Sequence, residues 1–328
     1  MHIVKLPGTS VGATVTDVDL SDLRDDEWES IEAAFLEHGM LVFPAQHLSA
    51  DDQSAFGARF GDFEFGQGGY NATYFEKPAT VPTSTTAPTK AGALTGALNT
   101  AGTSPPAQAK GPGGTVRMGN EDARDGGLLD EDSQRMQINL GNEDWHTDSS
   151  YMPLASKVAM LAADKVPEIG GETGFADMRA AFDSLDAETQ AELGQLSAYH
   201  SLHFSQAVTT LRLGLDTQWT QEVNPAFYGY HGEAYLRPLV KTHPETGRKN
   251  LFIGRHAYGV TGPDGPLEPE ESEALLRKLV EEACKPPHVY DHPWKEGDCK
   301  RAAPFLPLRL ASVAIPSPVQ LLRSGRLG

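Results

Sequence analysis

His146 and Asp148 stand two residues apart in Gly141-Asn142-Glu143-Asp144-Trp145-His146-Thr147-Asp148-Ser149-Ser150. On an extended strand, positions i and i+2 point to one face. An imidazole and a carboxylate at this spacing can therefore reach one metal ion from one side. They would be two of the three ligands in the facial arrangement that holds non-haem Fe(II) and leaves positions open for a cosubstrate and oxygen. The spacing alone is weak. With 11 His in 328 residues, chance supplies ~0.7 His-x-Asp matches. His231-Gly232-Glu233 and His243-Pro244-Glu245 offer the same ligand types at the same spacing. What raises the pair above chance is its context, including Gly170-Gly171-Glu172-Thr173 downstream.

The totals narrow the classes. A chain of 328 residues with 39% hydrophobic content can bury one large core. A net charge of −18 argues against nucleic acid or an anionic membrane surface as partner. It leaves small anionic substrates open, because a few cations in a pocket suffice for those. The two cysteines, Cys284 and Cys299, match neither a metal spacing nor a disulfide framework, which fits a reducing compartment. The N-terminal stretch lacks a signal-peptide core, and no run approaches the ~20 apolar residues of a membrane span. We read the chain as cytoplasmic.

The elements that must position the pair follow from periodicity. Gly12–Leu20 alternates as a strand does, and Asp22–Gly39 reads as a helix with Trp28, Ile31 and Phe35 on one face and Gly39 as its stop. Met40–Phe43 is a buried strand, and Ser49-Ala50-Asp51-Asp52 opens a second helix that ends at Gly61. Residues 78–114 are dominated by Thr, Ala, Pro and Gly and form a low-complexity insert. The pair itself is placed on a strand. Lys157–Val166 is a strand candidate, Gly170-Gly171 a turn, Phe182–Leu193 a helix, and Leu196–Phe204 has strand-like spacing. Pro244-Glu245-Thr246-Gly247 reads as a hairpin turn, and Glu268–Ala283 as an amphipathic helix with Leu275, Leu276, Leu279 and Val280 inward.

The stretches Asn142–Ser150 (NEDWHTDSS), Pro167–Thr173 (PEIGGET) and Phe175–Asp183 (FADMRAAFD) together resemble the taurine dioxygenase/2,4-dichlorophenoxyacetate dioxygenase family. These are Fe(II)- and 2-oxoglutarate-dependent oxygenases. The similarity is closer to the dichlorophenoxyacetate branch and covers most of residues 10–298 apart from the insert. The resemblance implies a mainly β fold with flanking helices around a double-stranded β-helix, or jelly-roll, core. It implies His146 and Asp148 as metal ligands and Thr173 as a hydroxyl on the cosubstrate. Asn142 and His200 fall at positions near the substrate. The implied reaction hydroxylates a small organic acid, aryloxyalkanoate- or sulfonate-like, using Fe(II), 2-oxoglutarate and O2 and releasing succinate and CO2. Family members are often oligomeric, so a homo-oligomer is expected.

The resemblance stops near Asp298. The family continues into a strand reading roughly Trp-Asp-Asn-Arg, then a distal His that is the third iron ligand, then an Arg about eleven residues on that grips 2-oxoglutarate. Here no His follows His292, and residues 299–328 hold no Asp or Glu. Five cations (Lys300, Arg301, Arg309, Arg323, Arg326) sit there among Pro and Leu. We therefore divide the chain into a domain at 1–298 and an atypical basic tail at 299–328. We read the tail as the product of a shifted reading frame or a mispredicted exon, with the last core strands missing or altered; the alternative is a natural basic tail on a diverged homologue. His292 is expected to be structural. The competing reading is a catalytically impaired relative that binds a small anion or serves as a scaffold.

Overall fold

Met40–Phe43 (β3) is four apolar residues in a row, all buried, and a strand covered on both faces belongs inside a sheet. In the computed structural model, which describes residues 1–61, 127–129, 143–152, 155, 157–212, 234–302 and 308–310, it does. A five-stranded sheet runs β1 (His2–Lys5), β2 (Ala13–Thr16), β3, β13 (Cys299–Ala302), β4 (Ala159–Ala162). β2 and β3 pair in parallel, which requires a crossover. Helix α1 (Asp25–His38) supplies it, with Ile31, Ala34 and Phe35 buried against the sheet. Gly39 ends α1 at φ 74°, its N–H on the Phe35 carbonyl at 2.7 Å, the left-handed stop that glycine adopts without strain. Helix α2 (Ala50–Ala58) starts at Ser49, whose hydroxyl accepts from Asp52 N while the Asp52 carboxylate returns to Ser49 N.

Three smaller sheets complete the described structure: β12 (Val289–His292), β5 (Thr173–Ala176) and β14 (Leu308–Leu310) in that order; β11 (Gly265–Pro266), β10 (Ala257–Gly262), β6 (Ser197–His200) and β7 (Tyr235–Pro238); and the hairpin β8 (Val240–Thr242) with β9 (Lys249–Leu251). Helix α6 (Pro269–Ala283) lays Leu276, Leu279 and Ala283 onto a core with Phe182, Leu251, Ile253 and Val260. A buried ion pair sits against the end of α1. Asp177 caps α3 (Met178–Asp183) and pairs with Arg179 at 2.9 Å, and Arg179 also donates to the carbonyls of Leu36, Glu37 and His38 at the end of α1. These are the orphan carbonyls that every helix leaves at its C-terminus.

Several expectations change. The helix expected over Phe182–Leu193 is two helices, α3 and α4 (Ala187–Leu193), because Asp186 starts a new one by accepting from Thr189 N. Strand spacing was expected through Phe204. β6 instead stops at His200, and Ser201 caps α5 (Leu202–Arg212) by accepting from Phe204 N. The tail does not begin where structure ends. Residues 299–302 lie in the five-stranded sheet between β3 and β4, and 308–310 pair with β5. Strand pairing is satisfied by backbone groups, so a change in composition does not prevent it. The strands fall into four sheets and do not form one closed barrel among the described residues. No described helix is long and apolar enough to cross a membrane. The 78–114 insert, Asn142 and His231-Gly232-Glu233 lie outside the described residues.

Candidate metal centre

The segment carrying His146 and Asp148 is not the regular strand that the spacing predicts. The chain turns directly after Thr147: Ser150 N and Met152 N donate to the carbonyls of Thr147 and Ser149, and Ser149 adopts φ 56°. The two side chains converge all the same. His146 is 2% exposed, and its Nε2 lies 3.3 Å from Oδ1 of Asp148, whose side chain is 42% exposed. Nδ1 of His146 is 2.8 Å from the Asp144 carbonyl. A carbonyl only accepts, so Nδ1 carries a proton, and Nε2 is the nitrogen turned to Asp148. The Asp144 carboxylate in turn holds Arg212, at the end of α5, at 2.8 Å.

The backbone of His146 is seated on Gly254. Arg255 N donates to the Trp145 carbonyl at 2.9 Å. Gly254 has φ 142°, and a Cβ there would meet His146 Cα and the Trp145 oxygen, each at 3.1 Å. Next in the chain is His256, a residue the sequence did not single out. It is buried, with ring centroids 5.8 Å from His146 and 4.8 Å from Tyr151. Ser205 Oγ lies 2.8 Å from its Nδ1 and also donates to the Leu202 carbonyl at 2.8 Å. A hydroxyl has one proton, so Ser205 accepts from Nδ1–H of His256. Burial, aided by Arg255, His146 and His200, holds the His256 pKa well below 6.5, keeping the ring neutral. The only sequence signal was indirect: Gly254 directly precedes Arg255-His256.

Thr173 opens β5, is buried, and accepts a hydrogen bond from the Trp294 indole at 2.8 Å. Its hydroxyl proton is left for another acceptor. Trp294 stands edge-on to His292. His292 has both ring nitrogens occupied, Nε2 by Asp298 and Nδ1 by Tyr290, each at 3.2 Å. Asp298 also accepts from Ala45 N and Lys295 N. His292 is thus part of the 292–298 turn and not a replacement ligand. Among the described residues no group of three His, Cys, Asp or Glu is arranged to hold a metal.

His200 is buried on β6 beside the Phe252 backbone. Its ring stacks on Phe252 at 5.2 Å. Burial first, then the charges of Arg237 and Lys241, push its pKa to about 3.

Comparison with known proteins places these features in one lineage. Residues 2–300 match the family described as Taurine catabolism dioxygenase TauD, TfdA family. The (S)-phenoxypropionate/alpha-ketoglutarate-dioxygenase of Sphingobium herbicidovorans is 41% identical over 288 residues, 88% of this chain and 81% of that protein. The alpha-ketoglutarate-dependent 2,4-dichlorophenoxyacetate dioxygenase of Cupriavidus pinatubonensis is 33% identical over 287 residues, 87% of this chain and 83% of that protein. Among solved structures, AAD-2 in complex with Mn(II) and N-oxalylglycine superposes with a TM-score of 0.70 at 28% identity, covering 96% of this chain and 92% of that one. A match across nearly the whole chain, at these identities, makes the protein a member of the TauD/TfdA family of alpha-ketoglutarate-dependent dioxygenases.

Proposed function

We propose that His146 and Asp148 hold a ferrous ion, and that the chain is a 2-oxoglutarate-dependent dioxygenase of a small organic acid, aryloxyalkanoate- or sulfonate-like, built on a jelly-roll core. One observation carries this. An imidazole nitrogen and a carboxylate oxygen stand 3.3 Å apart, with the Nδ1 proton directed to the Asp144 carbonyl. Adjacent ligands of one ion, each bonded at ~2.1 Å, are about 3 Å apart. The relatives point the same way: they carry the names of phenoxypropionate and 2,4-dichlorophenoxyacetate dioxygenases.

When bound, the ion supplies the centre at which 2-oxoglutarate and O2 are used to hydroxylate an aliphatic carbon, with succinate and CO2 as co-products. The chain's own residues do the rest. Asp144 fixes the His146 tautomer, the kind of outer contact that orients a metal-binding imidazole. His256 and Tyr151 cover one side of the pair. Thr173, its oxygen accepting from Trp294, directs its proton to the cosubstrate. His200 contributes to the substrate side, and Asn142 is assigned there from the family pattern. Both cysteines are free, which supports a cytoplasmic setting. We also expect a homo-oligomer.

A second reading, an impaired relative that binds anions without turnover, is favoured by the lack of any His after His292. Anaerobic titration with Fe(II) and 2-oxoglutarate separates the two. The weak visible charge-transfer band, followed by 2-oxoglutarate consumption with a phenoxypropionate under air, supports the enzyme. The band without consumption supports the binder. A folded protein with no band overturns the metal assignment.

A further inference from the structure

β12 and β5 are antiparallel, with His292 opposite Thr173 and Tyr290 opposite Phe175. Directly opposed residues share a face of the sheet, so the His292 ring and the Thr173 hydroxyl project to one side. Both residues are buried. Beyond His292 the chain runs through Pro293, whose ring fixes φ, to Trp294. The Trp294 indole returns to the same face. Its N–H donates to Thr173 Oγ1 at 2.8 Å, and its ring meets the His292 ring edge-on, with centroids 4.8 Å apart. His292, Trp294 and Thr173 thus form one chain of contacts.

The His292 ring is itself pinned. Nδ1 lies 3.2 Å from the Tyr290 hydroxyl, and Nε2 lies 3.2 Å from Oδ2 of Asp298. Oδ2 also accepts from Lys295 N at 3.1 Å, and Oδ1 accepts from Ala45 N at 3.2 Å. The Gly297 carbonyl accepts from Gln46 N and His47 N at 2.7 and 3.0 Å. The 295–298 turn is therefore fastened to the segment that follows β3, and a ring held at both nitrogens keeps its orientation. An edge-on aromatic pair is directional, so a fixed imidazole fixes the indole against it. A threonine side chain otherwise chooses among staggered rotamers. Accepting from a fixed indole N–H selects one of them, and the hydroxyl keeps its own proton to donate elsewhere.

We propose that His292 is a positioning residue: its pinned ring sets the Trp294 indole, and the indole sets the Thr173 hydroxyl toward the cosubstrate. The second step rests on the proposed function, in which Thr173 meets 2-oxoglutarate; the first step does not. In this role His292 acts through Trp294 and not by ligating the metal. The residue type suits the task. A histidine offers an aromatic edge to Trp294 and, in the same ring, two nitrogens for Tyr290 and Asp298, which a phenylalanine lacks.

The test reads the Trp294 indole directly in the full chain. There are four tryptophans, so the NMR signal of the Trp294 indole N–H is assigned by its loss in Trp294→Phe. Hydrogen exchange of that proton is compared in wild type, His292→Leu and His292→Gln. Both variants lack the ring. Gln keeps a donor for the buried Asp298, so it decides if the Leu variant does not fold. Exchange should be faster by about fivefold or more in each. Separately, N-oxalylglycine affinity is measured by calorimetry with Co(II) bound. It should fall about fivefold in either His292 variant. Adding the His292 change to Trp294→Phe should cost no more than about a further twofold, because the two residues act in series. Exchange within about twofold of wild type overturns the proposal. So does a double variant whose loss is the product of the two single losses, which marks independent damage to the turn. Faster exchange with N-oxalylglycine affinity unchanged overturns the step from the indole to the cosubstrate. A wild type that binds Co(II) but not N-oxalylglycine counts against the proposed function instead, and the exchange result still decides whether His292 sets the indole.

Discussion

Replacing His200 by leucine should change how stability depends on pH. Burial, then Arg237 and Lys241, lower the folded-state pKa of His200 from 6.5 to about 3. Above about pH 6.5 the imidazole is neutral in both states and contributes nothing. As the pH falls below that, the unfolded chain binds a proton at this residue and the folded chain does not, so stability is lost. The loss continues until the pH approaches the folded-state value. Between about pH 7 and pH 5 the shift amounts to about 2 kcal/mol. Removal of the imidazole removes that slope. The assay is urea unfolding of wild type and His200→Leu across this range, with the difference in unfolding free energy plotted against pH. Wild type should lose about 2 kcal/mol more than the variant. Two parallel curves would refute the reasoning, because they would mean that His200 takes up its proton equally in both states, which a buried ring beside two cations cannot do.

Arg179→Met leaves the Asp177 carboxylate buried without its cation and removes the side-chain donor to the Leu36 and Glu37 carbonyls of α1; it should cost about 3–5 kcal/mol, read as a fall in the thermal midpoint. Gly254→Ala brings a Cβ to 3.1 Å from the His146 backbone at a φ of 142°; about 1–3 kcal/mol of strain follows, and weaker Co(II) binding in a protein that still folds would show the strain reaching the metal pair. Trp294→Phe removes the donor to the Thr173 oxygen; the expected effect is weaker binding of N-oxalylglycine with Co(II) affinity unchanged, and equal loss of both would instead indicate a general disturbance of the turn.

Much of the scaffold could be read from local pattern. β3 announced itself as an unbroken apolar run, α1 by its apolar face and Gly39, and α6 by Leu276 and Leu279 recurring toward the core. The hairpin at 243–247 followed from Pro-Glu-Thr-Gly, and Gly247 adopts φ 69° there. What failed was set by contacts distant in sequence. The turn after Thr147 depends on Gly254 and Arg255 meeting Trp145, more than a hundred residues away in the chain. His256 stayed hidden because a lone His carries no spacing; only its bond to Ser205 and its approach to His146 bring it to the site. Arg237 faces the same side as Ala198 only through the register of β6 and β7, which no local pattern announces. The break in composition at Cys299 was real, yet the backbone continued across it as an inner strand between β3 and β4.

The most direct test of the metal assignment is a Co(II) titration of wild type and Asp148→Ala, followed by absorption. The Asp148 side chain is 42% exposed, so its removal should leave the fold intact while deleting one of the two donors. Wild type should bind one equivalent with a visible spectrum of oxygen and nitrogen ligation, and the variant should show neither. Unchanged Co(II) binding in Asp148→Ala, or none in folded wild type, would contradict the account.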